Sequence, residues 1–153
     1  MKLRCVDRIH AWTPYREITG LKAVSFEEFE LKAPFGDEAA LPESLVLESL
    51  LQLGNWLLLL SSEFTRLGRV IRIGEVQFLD RLRPGQALHL RVTVTRRRAE
   101  DFEFAGEGSV HGRPLVRGSG CLATTVPAAD YLNPADARVL FAEIGPPVES
   151  MPP

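Results

Sequence analysis

The sequence predicts an α+β fold in which an antiparallel sheet wraps around one long central helix. From Leu45 to Leu60, eleven of sixteen residues are large and apolar, and no basic residue interrupts them. Such a run suits a helix buried on most of its sides. Four closely spaced strand-like segments with short turn signals follow it. Strands do not alternate with helices along the chain, which argues against a doubly wound parallel sheet.

The elements follow in order. Residues 3–12 and 17–30 read as strands on either side of the turn-like Thr13-Pro14-Tyr15, and a loop rich in Pro, Gly and Ala occupies 32–42. Pro42 suits the first turn of a helix, and Glu43 favours the positive end of its dipole. The helix covers about 43–63 and stops near Gly68. Arg69–Asp80 is strand-like, and Arg83-Pro84-Gly85 is a turn. Then Leu88, Leu90, Val92 and Val94 alternate with His89, Arg91, Thr93 and Thr95, a period of two. The charged stretch Arg96–Asp101 makes the next turn, with strands at 102–110 and 115–126 on either side of His111-Gly112-Arg113. Asn133-Pro134 starts a short helix through Ile144. Residues 1–145 form a single domain, and the Pro-rich segment 146–153 is a frayed tail.

Composition narrows the function classes. A net charge of −2 over 153 residues argues against nucleic-acid binding by bulk electrostatics. Cys5 and Cys121 make no disulfide framework, and neither has a Cys or His nearby at metal-ligand spacing, which fits a reduced cytoplasmic compartment. The N-terminus lacks the basic-then-apolar build of a signal peptide. The apolar run is short for a membrane span and carries Glu48, Gln52 and Asn55 inside it.

Glu48 is the residue that points to chemistry. A carboxylate among leucines is costly unless it is paired, hydrogen-bonded or protonated. Glu48, Gln52 and Asn55 stand at i, i+4 and i+7, so they form one polar stripe on the helix, like the lining of a site. Asn55 and Trp56 read as helix packing, and Cys121 as a small apolar packer. Gln52 reads equally as a substrate-site hydrogen bonder or as a partner that satisfies Glu48. His10, His89 and His111 read as solvated, and Arg96-Arg97-Arg98 as a solvated turn.

Several motifs carry a resemblance. Cys5-Val6-Asp7-Arg8-Ile9, Leu41-Pro42, Leu45-Val46-Leu47-Glu48 with Gln52, and the run Gly74, Val76-Gln77-Phe78, Arg81-Leu82, Arg83-Pro84-Gly85 keep their order and spacing. Together, over residues 4–125, the chain resembles the FabA/FabZ-type 3-hydroxyacyl-ACP dehydratases. The resemblance implies a hotdog fold, pairing through edge strands, and substrates carried as thioesters of acyl carrier protein or CoA. It implies no metal or redox cofactor; the phosphopantetheine arm belongs to the substrate.

The family's acid–base pair is a loop histidine and a helix carboxylate. Glu48 stands in the acid's place and Pro34 in the histidine's. Phe35 keeps the aromatic that follows the histidine, and Glu43 replaces the glycine whose N–H helps bind the thioester carbonyl. By resemblance, Glu48 is the catalytic candidate, and Phe35, Glu43, Ser44 and Gln52 are the substrate-binding candidates. Without the histidine, the resemblance implies a dehydratase-like protein with impaired or partner-dependent catalysis. The other readings are an acid-donating or structural partner of a histidine-bearing hotdog paralogue, a thioesterase using Glu48, and an acyl-binding module.

Overall fold

The computed structural model describes residues 4–26 and 39–147. The expected start of the first strand at residue 3, the end of the second at 27–30, Pro34, Phe35 and the tail from 148 onward lie outside the described residues.

The architecture is the one the patterns predict, a curved antiparallel sheet around a helix. The strands are β1 (Arg8–Thr13), β2 (Glu17–Ala23), β3 (Arg66–Arg72), β4 (Glu75–Phe78), β5 (Ala87–Arg98), β6 (Asp101–Val110) and β7 (Arg113–Pro127). The helices are α1 (Glu43–Ser61) and α2 (Pro134–Ile144). The sheet order is β1-β2-β5-β6-β7-β3, with β4 pairing farther along β7. All the pairings are antiparallel.

Five strands follow α1, because the single strand expected over 69–80 is two. The break falls at Gly74, where an added Cβ would lie 2.2 Å from the Ser119 carbonyl oxygen. Only glycine allows the chain to pass that close to β7. Opposite it, β7 carries one extra residue between Gly118 and Cys121, and Gly120 takes a φ of +66°. β3 and β4 therefore form one bent edge along β7.

The turn at Arg83-Pro84-Gly85 forms as expected. Gly85 has a φ of +82°, and the Gln86 N–H donates to the Arg83 carbonyl at 3.2 Å. Proline followed by a positive-φ glycine is the type II pattern. The turn expected over 96–101 is shorter, since β5 continues to Arg98. Arg97 is not a freely solvated charge there: its guanidinium lies 4.1 Å over the Tyr15 ring and 5.1 Å over that of Phe102.

The core lies between α1 and the inner face of the sheet. The alternation in β5 points Leu88, Leu90 and Val92 inward, and all three are buried. They meet Leu50, Leu53 and Leu57 of α1 together with Phe102, Phe104 and Val116. Each fully buried leucine contributes about 1.5–3 kcal/mol relative to exposure. α1 is long and apolar enough, by length and composition alone, to cross a membrane. Here it is the core helix, with Leu53 and Leu57 fully buried in this cluster.

α2 closes over a further side of α1. Asn133 caps it through its side chain, which accepts from the Ala135 N–H, and Pro134 occupies its first turn. Phe141 packs against Trp56 and Phe64, with ring centroids 6.2 and 6.3 Å away.

Candidate acyl-thioester site

Two turns of α1 organise the polar stripe. Glu48 is half-buried, and its Oε1 accepts a hydrogen bond from Gln52 Nε2 at 2.9 Å. The i, i+4 spacing places these groups side by side. Gln52 Oε1 in turn accepts the Cys5 backbone N–H at 2.9 Å. The Gln52 amide thus has a fixed orientation, with its oxygen on the backbone and its NH₂ facing the carboxylate. Ser49, fully buried beside them, donates to the Leu45 carbonyl at 2.9 Å.

Asn55 leaves the stripe for a different partner. Its Nδ2 donates to the Gly68 carbonyl at 3.1 Å, and its Oδ1 accepts the Gly68 N–H at 2.9 Å. This two-point clamp pins the start of β3 to α1. Reading Asn55 as helix packing missed the clamp, because its partner lies thirteen residues ahead and on another element.

Beside Glu48, the neighbouring residues Leu47 and Leu51 line an apolar cavity of about 60 Å³ between α1 and the sheet. Gly54 and Gly106 lie on its walls, and Val92 and Phe104 also line it. Val70, Ile73 and Val76 of the bent edge form another side. Cys121 borders it as well, and burial pushes its thiol pKa up from 9.0. The expected small apolar packer is therefore part of a cavity wall. Glu48 itself does not line the cavity; it sits on the adjoining face of the helix.

The remaining candidates divide. Glu43 and Ser44 are exposed in the first turn of α1, and Pro42 is the N-cap instead of standing inside the first turn. The N-cap Pro42 makes no side-chain hydrogen bond to this helix end, and its carbonyl accepts the Leu45 and Val46 N–H groups at 2.9 and 3.1 Å. Pro34 and Phe35 lie outside the described residues. His10 and His89 are exposed on strands, and His111 is exposed in a hairpin turn.

An ion pair between a buried lysine and a half-buried aspartate went unread in the sequence. Lys22 is 5% exposed and sits 3.4 Å from Asp7, whose Oδ2 also accepts the Ala23 N–H at 2.7 Å. The signal was available: Ile18, Gly20 and Lys22 share one parity of β2, and all three face inward. Among the described residues, no three His, Cys, Asp or Glu side chains are grouped so as to hold a metal ion.

Comparison with known proteins places this geometry. A family profile described as the FabA-like domain matches residues 1–118. The chain belongs to that family. It is 32% identical over 108 residues to the 3-hydroxyacyl-[acyl-carrier-protein] dehydratase FabZ of Caulobacter sp. (strain K31), covering 69% of this chain and 66% of the relative. The chain thus spans just under two thirds of that relative's length. Among solved structures, a hot-dog-like protein from Thermanaerovibrio acidaminovorans superposes with a TM-score of 0.62 at 18% identity, covering 84% of this chain and 91% of its own. The fluoroacetyl-CoA thioesterase FlK superposes with a TM-score of 0.62 at 9% identity, covering 93% and 99%. At those identities the likeness shows the hotdog fold. The family match ends at residue 118, so the β7 bulge and α2 lie beyond it.

Proposed function

We propose that this protein binds 3-hydroxyacyl or 2-enoyl thioesters of acyl carrier protein or CoA and belongs to dehydratase-type chemistry, with Glu48 as its acid. One observation carries the reading. The Glu48 carboxylate is oriented by the Gln52 amide at 2.9 Å, on a helix whose adjoining residues line an apolar cavity. A polar reacting group beside an apolar chain-binding space is what an acyl thioester requires.

The reaction removes a proton from C2, breaks the C3–O bond and protonates the leaving hydroxyl, giving the 2-enoyl thioester and water. Two groups in opposite protonation states do this well. Glu48 supplies one; Pro34, which stands where the resemblance puts the other, supplies no proton chemistry. Loss of one such group typically costs ~10²–10⁴-fold in rate. The chemistry needs no metal or redox cofactor, and the phosphopantetheine arm arrives with the substrate. A cytoplasmic setting follows from the same reading.

A partner chain resolves the shortfall. Val70, Ile71 and Ile73 are 41%, 58% and 44% exposed on the bent β3–β4 edge that borders the cavity. That edge fits a second hotdog chain, either another copy of this protein or a paralogue whose histidine completes the pair across the interface. A solitary helix carboxylate beside an acyl cavity also fits thioester hydrolysis, which would release free thiol.

The test measures interconversion of 3-hydroxyacyl and 2-enoyl thioesters by the protein alone and mixed with a histidine-bearing hotdog protein. The expected result is weak turnover alone, a large gain in the mixture, and loss of both in Glu48→Gln. Full activity in Glu48→Gln, or thiol release without enoyl formation, would overturn the dehydratase reading.

A further inference from the structure

We infer that Asn55 is the end wall of the acyl cavity and sets the length of the acyl chain the protein accepts. The inference rests on the thioester reading above. Asn55 borders two separate spaces: the apolar cavity of about 60 Å³ on the sheet side of α1, and a cleft of about 480 Å³ between α1 and α2. The cleft is mainly apolar, with Trp56, Leu59, Leu140 and Ile144 among its walls. One side chain therefore stands between a small space and a large one of similar chemistry.

Its position is fixed. Both polar atoms of the carboxamide are engaged by Gly68, at 3.1 and 2.9 Å, so the side chain cannot rotate out of the way without breaking two hydrogen bonds. Leu58 stands next to it, and an added Cβ at Gly68 would lie 2.6 Å from Leu58 Cδ1 and 3.5 Å from Asn55 Oδ1. A valine or leucine at position 55 would also block the passage, but it would not tie the start of β3 to the helix.

The size of the cavity sets the limit. A dry apolar cavity of ~150 Å³ admits a six-carbon benzene ring, so about 60 Å³ holds roughly two to three chain carbons. With the thioester carbonyl, C2 and C3 outside the cavity at the reacting group, the acyl chain ends at about six carbons. Within that length each added methylene enters apolar surroundings and tightens binding about fourfold. Beyond it, the chain meets Asn55.

The experiment titrates the full chain by calorimetry with saturated acyl-CoA thioesters of increasing even chain length. Wild type should tighten about fourfold per methylene up to about six carbons and gain nothing beyond. Asn55→Ala, shown to be folded by circular dichroism, should open the cavity into the cleft and keep tightening through twelve carbons. Gly54→Ala puts a methyl inside the cavity, 3.5 Å from Val92 Cγ1, and should shorten the limit by one or two carbons. This filling variant decides the matter if Asn55→Ala does not fold. Continued tightening of wild type past about eight carbons, a folded Asn55→Ala with an unchanged limit, or an unmoved limit in Gly54→Ala overturns the inference and leaves the thioester reading standing. Binding of no thioester at all overturns both.

Discussion

Replacing Gly54 with alanine should make the protein more stable, although the residue is buried at the centre of the fold. Glycine inside a helix costs about 1 kcal/mol relative to alanine, through the backbone freedom it must lose. Gly54 sits in the middle of α1. The new methyl would meet Val92 Cγ1 at 3.5 Å and the Phe104 ring at 4.0 Å, which are ordinary van der Waals contacts. Filling empty apolar space adds up to about 0.8 kcal/mol more. The sum is about 1–2 kcal/mol, or roughly 3–6 °C in Tm for a chain of this size. Urea unfolding should show a higher midpoint with an unchanged slope. Gly68→Ala supplies the contrast, because its Cβ would fall 2.6 Å from Cδ1 of the buried Leu58, closer than side chains approach. That variant should lose about 1–3 kcal/mol through overpacking. A lower midpoint for Gly54→Ala would refute the reasoning, since it would mean that the space beside α1 is not there to be filled.

Two pH effects follow from the same structure. The Thr125 hydroxyl, and after it the Arg66 guanidinium, hold the Glu100 carboxyl below its ordinary 4.5. A depressed folded pKa stabilises the protein above the ordinary value, and that contribution is lost as pH falls through the depressed one. Glu100→Gln should therefore flatten the acid limb of stability below about pH 4.5, read by urea midpoints; an unchanged limb would remove Glu100 from the account. Cys121 has the opposite sign. Its thiol is pushed above 9.0 by burial, so stability is full below that value and declines as pH rises past it. In a Cys5→Ser background, thiol labelling of Cys121 should be slow at neutral pH and slower still with an acyl thioester bound. Rapid labelling that ligand does not affect would place Cys121 outside the cavity.

Local patterns carried most of the fold into the sequence. The unbroken apolar run 45–60 announced α1, and strict alternation in 88–95 announced the inner face of β5. Asn133-Pro134 announced α2 to the residue. The bend between β3 and β4 was not legible, because Gly74 is required by the approach of β7 and not by anything beside it in sequence. The length of β5 was misjudged for a related reason: three consecutive arginines read as a turn, but Arg97 is held over Tyr15 and Phe102 from elsewhere in the chain. At the site, the Glu48–Gln52 hydrogen bond followed from helical spacing alone. The Asn55–Gly68 clamp and the Lys22–Asp7 pair join different elements, and helix periodicity by itself points to neither.

The bent β3–β4 edge also bears on how the protein is made. An unpaired strand at the end of a sheet is a template for any other strand, and apolar side chains along it strengthen the attraction. Here Val70 and Ile71 lie between Arg69 and Arg72, so two positive charges flank the apolar pair. Like-charged flanks slow indiscriminate stacking of edges during synthesis without preventing a matched partner from docking. Overproduced alone, the chain should become prone to aggregation as its concentration rises and as salt screens those arginines. Supplying the proposed partner chain at the same time would then act on yield before it acts on activity.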